Sequence, residues 1–128
     1  MPMFRKILLV DDDEASNFYS DTILREMDAA KEIDIAEDGS EACHLLVPGK
    51  CPDIIFLDIR MPKMDGFNFL DRLNKLGSCP NTRVVMLTSS TRKEDKEKAF
   101  SHKNVLDYFE KPLTEEIVRR VSEEYYKS

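Results

Sequence analysis

Five short apolar runs punctuate the chain, and between them apolar residues recur at helical rather than alternating spacing. The runs are KILLV (6 to 10), IDIA (33 to 36), DIIFL (53 to 57), RVVMLT (83 to 88) and VLDYFE (105 to 110). Three hold unbroken apolar stretches, ILLV, IIFL and VVML, the pattern of strands covered on both faces of a parallel sheet. Tyr19, Ile23, Leu24 and Met27 fall on one helical stripe, as do Ala42, Leu45 and Leu46, then Phe67, Leu70 and Leu73, and last Ile117, Val118 and Val121. TRKEDKEKAF (91 to 100) takes the remaining helix position by alternation, but only Ala99 and Phe100 are apolar, which predicts a marginal helix. The order (βα)5, with right-handed crossovers, makes an α/β doubly wound, five-stranded parallel sheet the natural solution.

At 128 residues the chain fits one domain, 1–128, and the few residues beyond the last helical stripe predict neither linker nor output domain. No apolar run approaches the roughly 18 residues of a membrane span, and the run at 7 to 10 is too short and too soon followed by acids to be a signal peptide. A cytoplasmic protein with no membrane contact is expected. The net charge of -6 argues against direct nucleic-acid binding, which draws on clustered Lys and Arg. Cys43, Cys51 and Cys79 are odd in number and lack CxxC spacing, so free thiols are expected rather than a disulfide or zinc site. Cys43 and His44 are helix neighbours that do not face one another, which disfavours a metal site there.

In open parallel sheets ligands bind beyond the carboxyl ends of the strands. The first strand delivers Asp11, Asp12 and Asp13 to that edge, the third Asp58, the fourth Thr88 and Ser89, and the fifth Lys111. Each has an ordinary reading alone: the aspartate triplet as a helix cap, Asp58 as a turn residue, Thr88 and Lys111 as surface residues. Their conjunction at four strand ends favours a site in which hard oxygen ligands hold a divalent cation such as Mg2+ beside a phosphate.

The motifs LLVDDD (8 to 13), PDIIFLDIRMPKMDG (52 to 66), VVMLTSS (84 to 90) and DYFEKPLT (107 to 114) together resemble the receiver domain of bacterial two-component response regulators, over nearly the whole chain. The resemblance implies a flavodoxin-like sheet of strand order 2-1-3-4-5. It implies that Asp58 is the phosphoacceptor, attacking a phosphohistidine on a sensor histidine kinase or phosphotransfer protein. Asp12 would be the direct Mg2+ ligand, Asp11 its partner through a bound water, and the Arg60 main-chain carbonyl the third ligand, with Mn2+ as a substitute ion. Asp13 lies one residue beyond the family pair and is read as a cap or a bystander. Thr88 and Lys111 would bind the phosphoryl oxygens. The Lys111–Pro112 peptide would be cis, a geometry that proline makes cheap. Thr88 and Tyr108 would form the switch, remodelling the face of the fourth helix, fifth strand and fifth helix, although Tyr108 also reads as an exposed aromatic on an edge strand. Arg60 and Ser89 occupy positions that tune dephosphorylation. Output would pass through a partner, through relay, or through competition for the kinase, from a monomer or a phosphorylation-dependent dimer.

The chain departs from the family in its turn before the last strand, where SHKN (101 to 104) replaces the frequent small residues; His102 is expected to be exposed. Two other readings of a strand-end aspartate compete. A phosphohydrolase of the haloacid dehalogenase type would carry a second Asp two residues after its nucleophile, where this chain has Arg60. A receiver that binds partners without being phosphorylated would lack one of Asp11, Asp12, Asp58, Thr88 or Lys111, and all are present. Gly39, Gly49, Gly66 and Gly77 cannot build GxGxxG or GxxxxGK, so a nucleotide loop is excluded. The expected protein is a signalling switch rather than an enzyme acting on a separate substrate.

Overall fold

The computed structural model describes residues 2–127 and orders its elements as β1 Phe4–Val10, α1 Glu14–Glu26, β2 Ala30–Ala36, α2 Gly39–His44, β3 Ile54–Leu57, α3 Gly66–Leu76, β4 Arg83–Thr88, α4 Lys93–Phe100, β5 Val105–Glu110 and α5 Glu115–Lys127. The strands pair in parallel in the order β2-β1-β3-β4-β5. β1 and β2 begin ahead of their apolar runs because the ladder continues back to the pair Phe4 and Ala30, past the polar pair Lys6 and Glu32. Among the described residues, no helix is long and apolar enough to cross a membrane.

The unbroken apolar runs feed two cores. Leu8 and Val10, Ile55 and Leu57, and Val84 and Met86 point to one sheet face, against Ala42, Leu46, Phe67, Leu70 and Ala99. Their neighbours Ile7 and Leu9, Ile54 and Phe56, and Val85 and Leu87 point to the other, against Leu24, Val118 and Val121. Period-two alternation between two buried layers makes such a run wholly apolar. One register shift, between Val84 and Val85, sets Tyr108 beside Met86 and Glu110 beside Thr88.

Helix starts follow side-chain caps: Asp13 on α1, Asp38 on α2 and Asp65 on α3 each accept a backbone N–H, and the Thr114 hydroxyl accepts from Ile117 N ahead of α5. α4 has no side-chain cap bond, is eight residues long and buries only Ala99. Phe100, expected as its second anchor, is 45% exposed. α1 departs from its expected stripe too. Tyr19 faces solvent and the buried face is Asn17, Ser20 and Leu24, because the first turns of this helix pack against the polar end of β1.

Two further expectations are corrected. Cys51 and Cys79 form a disulfide, leaving Cys43 as the free thiol. Their 28-residue separation concealed this, but Cys51 precedes β3 and Cys79 precedes β4, and parallel pairing of adjacent strands brings their Cα atoms to 5.6 Å. His102 is half-buried rather than exposed: Asn74 Nδ2 lies 3.1 Å from its Nδ1 and Asp71 Oδ1 lies 3.8 Å from its Nε2, so the end of α3 covers the ring.

Candidate functional site

The β-ladder itself aims the reactive groups. Asp11 N donates to Ala36 O (3.1 Å), Asp58 N to Val10 O (3.0 Å) and Lys111 N to Thr88 O (2.9 Å). Each residue thus extends its strand by one hydrogen bond before the chain turns away, which fixes three backbones at one edge. Asp11 and Asp58 are buried there, 6% and 7% exposed, while Asp12 is exposed. Carboxylate oxygens of Asp11, Asp12 and Asp58 lie within 4.8 Å of one another.

Lys111 Nζ stands between two of them, 2.6 Å from Asp11 Oδ2 and 3.4 Å from Asp58 Oδ2, and the Lys111–Pro112 peptide is cis. One ammonium against three carboxylates leaves the cluster short of positive charge. Burial pushes the Asp58 carboxyl above its ordinary range and the Asp11 charge adds to this, against the opposing pull of Lys111, the Thr88 hydroxyl and Ile59 N–H. Burial alone would lower the Lys111 pKa, but its hydrogen bond to Asp11 and the charges of Asp58 and Asp11 outweigh burial and leave it raised. A cluster of hard oxygen donors left with excess negative charge fits a small divalent cation such as Mg2+, which takes a few carboxylates and keeps several waters. An open cleft of about 560 Å³, lined by Asp12, Arg60, Asp65 and Lys98 among others, leads onto it.

Asp13 is a cap: its Oδ1 accepts from Ala15 N (3.0 Å) and Ser16 N (3.3 Å). Arg60 and Ser89 are exposed, Arg60 lining the cleft. Tyr108 is buried at 9% exposure, so it is not an exposed edge aromatic; its hydroxyl donates to Ser90 O at 3.0 Å, and burial pushes its pKa up.

Sequence reasoning missed three positions. Asn17 Nδ2 donates to Asp11 O (2.8 Å) from the buried face of α1, holding the chain where it leaves β1. Ser90 joins three elements: its N–H donates to Thr88 Oγ1 (3.3 Å), its hydroxyl to Asp95 Oδ2 of α4 (2.6 Å), and its carbonyl accepts from Tyr108 of β5. Gly66 opens α3 against the backbone of the loop after β3, and its N–H donates to Ile59 O at 2.7 Å. Asn17 lies off the apolar stripe of its helix, so the stripe gave no sign of it. Ser90 and Gly66 close the motifs VVMLTSS and PDIIFLDIRMPKMDG, but the contacts that give them a role are with other elements.

A Cβ on Gly66 would lie 2.4 Å from Asp58 O and 2.9 Å from Ile59 Cα. Both are backbone atoms that cannot yield without moving Asp58. Gly66→Ala is therefore expected to lower stability by about 2 kcal/mol, in the range of overpacked sites, and a urea midpoint equal to wild type would show slack in this loop.

A family model described as the response regulator receiver domain matches residues 7–122. The chain is 35% identical over 118 residues to the DNA-binding dual master transcriptional regulator RpaA of Synechocystis, covering 91% of this chain and 47% of that protein. It is 31% identical over 123 residues to the probable methanogenesis regulatory protein FilR2 of Methanothrix harundinacea, covering 92% and 79%. The chain thus spans about half the length of the Synechocystis regulator. Among solved structures, a two-component response regulator from Cytophaga hutchinsonii superposes with a TM-score of 0.87 at 31% identity over 98% of both chains. The chemotaxis response regulator CheY4 of Vibrio cholerae superposes at 0.78 with 26% identity, over 94% of this chain and 98% of that one.

Proposed function

The chain belongs to the response regulator receiver domain family, and from that premise we propose that it takes a phosphoryl group from a sensor histidine kinase or phosphotransfer protein onto Asp58. The observation that carries this reading is the convergence of Asp11, Asp12, Asp58 and Lys111 at one sheet edge, with the backbones of Asp11, Asp58 and Lys111 each pinned by an extra ladder bond.

An Asp58 carboxylate oxygen forms the new bond to phosphorus as the phosphorus–nitrogen bond to the partner's imidazole breaks, the electron pair leaving on the imidazole. Thr88 and Lys111 hold two phosphoryl oxygens, so Lys111 gives up part of its contact with Asp11. Asp11, Asp12 and the Arg60 main-chain carbonyl would hold Mg2+, or Mn2+ in its place, which when bound would supply the remaining positive charge. Charge neutralisation and positioning supply most of the catalysis in phosphoryl transfer. Arg60 and Ser89, exposed at the rim, set how readily water reaches the phosphoryl group.

The signal leaves through Thr88. Its hydroxyl favours the charged form of Asp58 and accepts from Ser90 N, and Ser90 touches both Asp95 on α4 and Tyr108 on β5. A shift of Thr88 toward a phosphoryl group pulls on this chain of bonds and on the inward position of Tyr108, remodelling the α4, β5 and α5 face. Residues 1–128 act as one receiver unit, and on family grounds we place the exchange in the cytoplasm, with the protein a monomer or a phosphorylation-dependent dimer. The chain turns over no substrate other than its own aspartyl phosphate.

Phosphotransfer from a radiolabelled histidine kinase tests the reading: label is expected to move to this chain in Mg2+ and to stay on the kinase in excess chelator. Lys111→Ala is expected to slow phosphorylation about 100-fold, the typical cost of losing one charge-stabilising group. It should also abolish the amide chemical-shift response of Ser90 and Tyr108 in the fraction that is phosphorylated. An undiminished response would break the proposed link from Asp58 to Tyr108.

A further inference from the structure

We propose that the Cys51–Cys79 pair is a thiol–disulfide exchange site, opened by a low-molecular-weight thiol and closed again by its disulfide, which adds or removes a covalent staple around the segment that carries Asp58. The pair sits at the amino-terminal edge of the sheet, the end of β3 away from Asp58, so it belongs to no part of the acidic site. The bond closes a segment that includes β3, Asp58 and α3.

Access is unequal. Cys79 is 4% exposed whereas Cys51 is half-buried, and a cavity of about 310 Å³ is lined by both cysteines, wide enough for a small thiol. A second opening, of about 450 Å³, runs past Cys51 among Arg5, Lys6, Lys31 and Lys50, with Glu32 as its acid. Exchange is governed by access and by the stability of the departing thiolate. An incoming thiolate attacks Cys51 Sγ, forming a mixed disulfide as the bond to Cys79 breaks, and the released Cys79 sulfur takes a proton from water. A second thiol then attacks the mixed disulfide at its own sulfur. It carries off the small-molecule disulfide and releases Cys51 as a thiolate among those cations. Two electrons pass from the two thiols to the protein; one proton ends on Cys79, and the other goes to solvent while Cys51 stays a thiolate. The reverse sequence, started by a small disulfide, recloses the bond.

Opening the bond does not let the edge come apart. Thr82 Oγ1 donates to Pro52 O at 2.6 Å, Arg83 N to Asp53 O at 3.0 Å and Ser78 Oγ to Leu46 O at 3.1 Å, and Ile54 stays in register with Arg83. These bonds flank both cysteines and keep the two sulfurs within bonding reach, so reclosure is intramolecular and needs no rearrangement. In a reducing compartment the pair rests as a dithiol, and an oxidising pulse closes it. The reduced chain therefore keeps its fold but loses the restraint on its unfolded state.

The test equilibrates the full chain, without denaturant, in a series of glutathione redox buffers, blocks free thiols after an acid quench and unfolding, and counts blocked cysteines by intact mass. One blocked cysteine, Cys43, is expected in oxidising buffers and three in reducing ones, reversibly, with any trapped glutathione on Cys51. The midpoint of thermal unfolding is expected to fall by about 10 °C on reduction, for a loop of this length in a domain of this size. Near-UV circular dichroism should persist, and Cys51→Ser and Cys79→Ser should each lose the redox response of the midpoint. Three blocked cysteines in every buffer would show that no bond forms. One blocked cysteine in every buffer would make the bond a fixed staple, and loss of near-UV dichroism on reduction would make it essential to folding; each overturns the proposal.

Discussion

Asp58→Asn is expected to yield a protein that takes up no phosphoryl group and yet unfolds at a higher temperature than wild type. The amide keeps the shape of the carboxyl and an oxygen to accept from Ile59 N, now 2.9 Å away, but it has no anionic oxygen to attack phosphorus. Phosphorylation by a histidine kinase should fall below detection, a loss of at least about 1000-fold. The gain in stability comes from the raised Asp58 pKa. Because the folded state holds the proton more tightly than the unfolded chain, the ionised carboxylate costs stability above its folded pKa. The cost shrinks as pH falls and vanishes below the ordinary carboxylate range, where both states are protonated. Removing it should raise stability at neutral pH by on the order of 1 kcal/mol, and the difference from wild type should close as the pH is lowered through the acid range. A mutant less stable than wild type at neutral pH, measured by thermal unfolding across pH, would mean that the pairing with Lys111 outweighs burial and the Asp11 charge.

Asp12→Ala is the second large effect. Asp12 is the exposed member of the carboxylate cluster and opens onto the cleft, so its removal costs a ligand while leaving the buried pair Asp11 and Asp58 bonded to Lys111. Mg2+ affinity is expected to drop about 100-fold or more, since each charged ligand moves the affinity of such sites by decades. Linkage makes this visible without phosphorylation: a cation that binds only the folded chain raises the unfolding midpoint with concentration. The wild-type midpoint should climb through a MgCl2 series, whereas that of Asp12→Ala should start higher, with one repelling carboxylate fewer, and stay flat. Parallel climbs in the two proteins would take Asp12 out of the cation site.

The strand ends were legible because they rest on strong local signals. ILLV, IIFL and VVML have the pattern of strands buried on both faces, and a polar residue directly after such a run lies at the carboxyl edge, where Asp11, Asp58 and Thr88 do lie. What the chain concealed depends on contacts between distant segments. Cys51 and Cys79 meet because β3 and β4 are neighbours in the sheet, a fact of topology and not of spacing. His102 is covered by Asp71 and Asn74, which belong to the distant helix α3. Gly66 looks like a loop glycine, and its need to be one appears only when Asp58 O stands against its missing side chain. α1 misled through amphipathicity itself: Tyr19 fits the apolar stripe, but the surface this helix meets is the polar end of β1, so Asn17 turns inward and Tyr19 outward.

The central claim, that Asp58 is the cation-dependent phosphoacceptor, is tested most directly by intact-mass spectrometry of the wild type after incubation with an acyl phosphate and, separately, with a phosphorylated histidine kinase, each in Mg2+ and in excess chelator. One added phosphoryl group per chain is expected in Mg2+, none in chelator, and none on Asp58→Asn under any condition. A phosphoryl group acquired equally well in chelator, one acquired by Asp58→Asn, or none acquired from either donor in Mg2+ would contradict it.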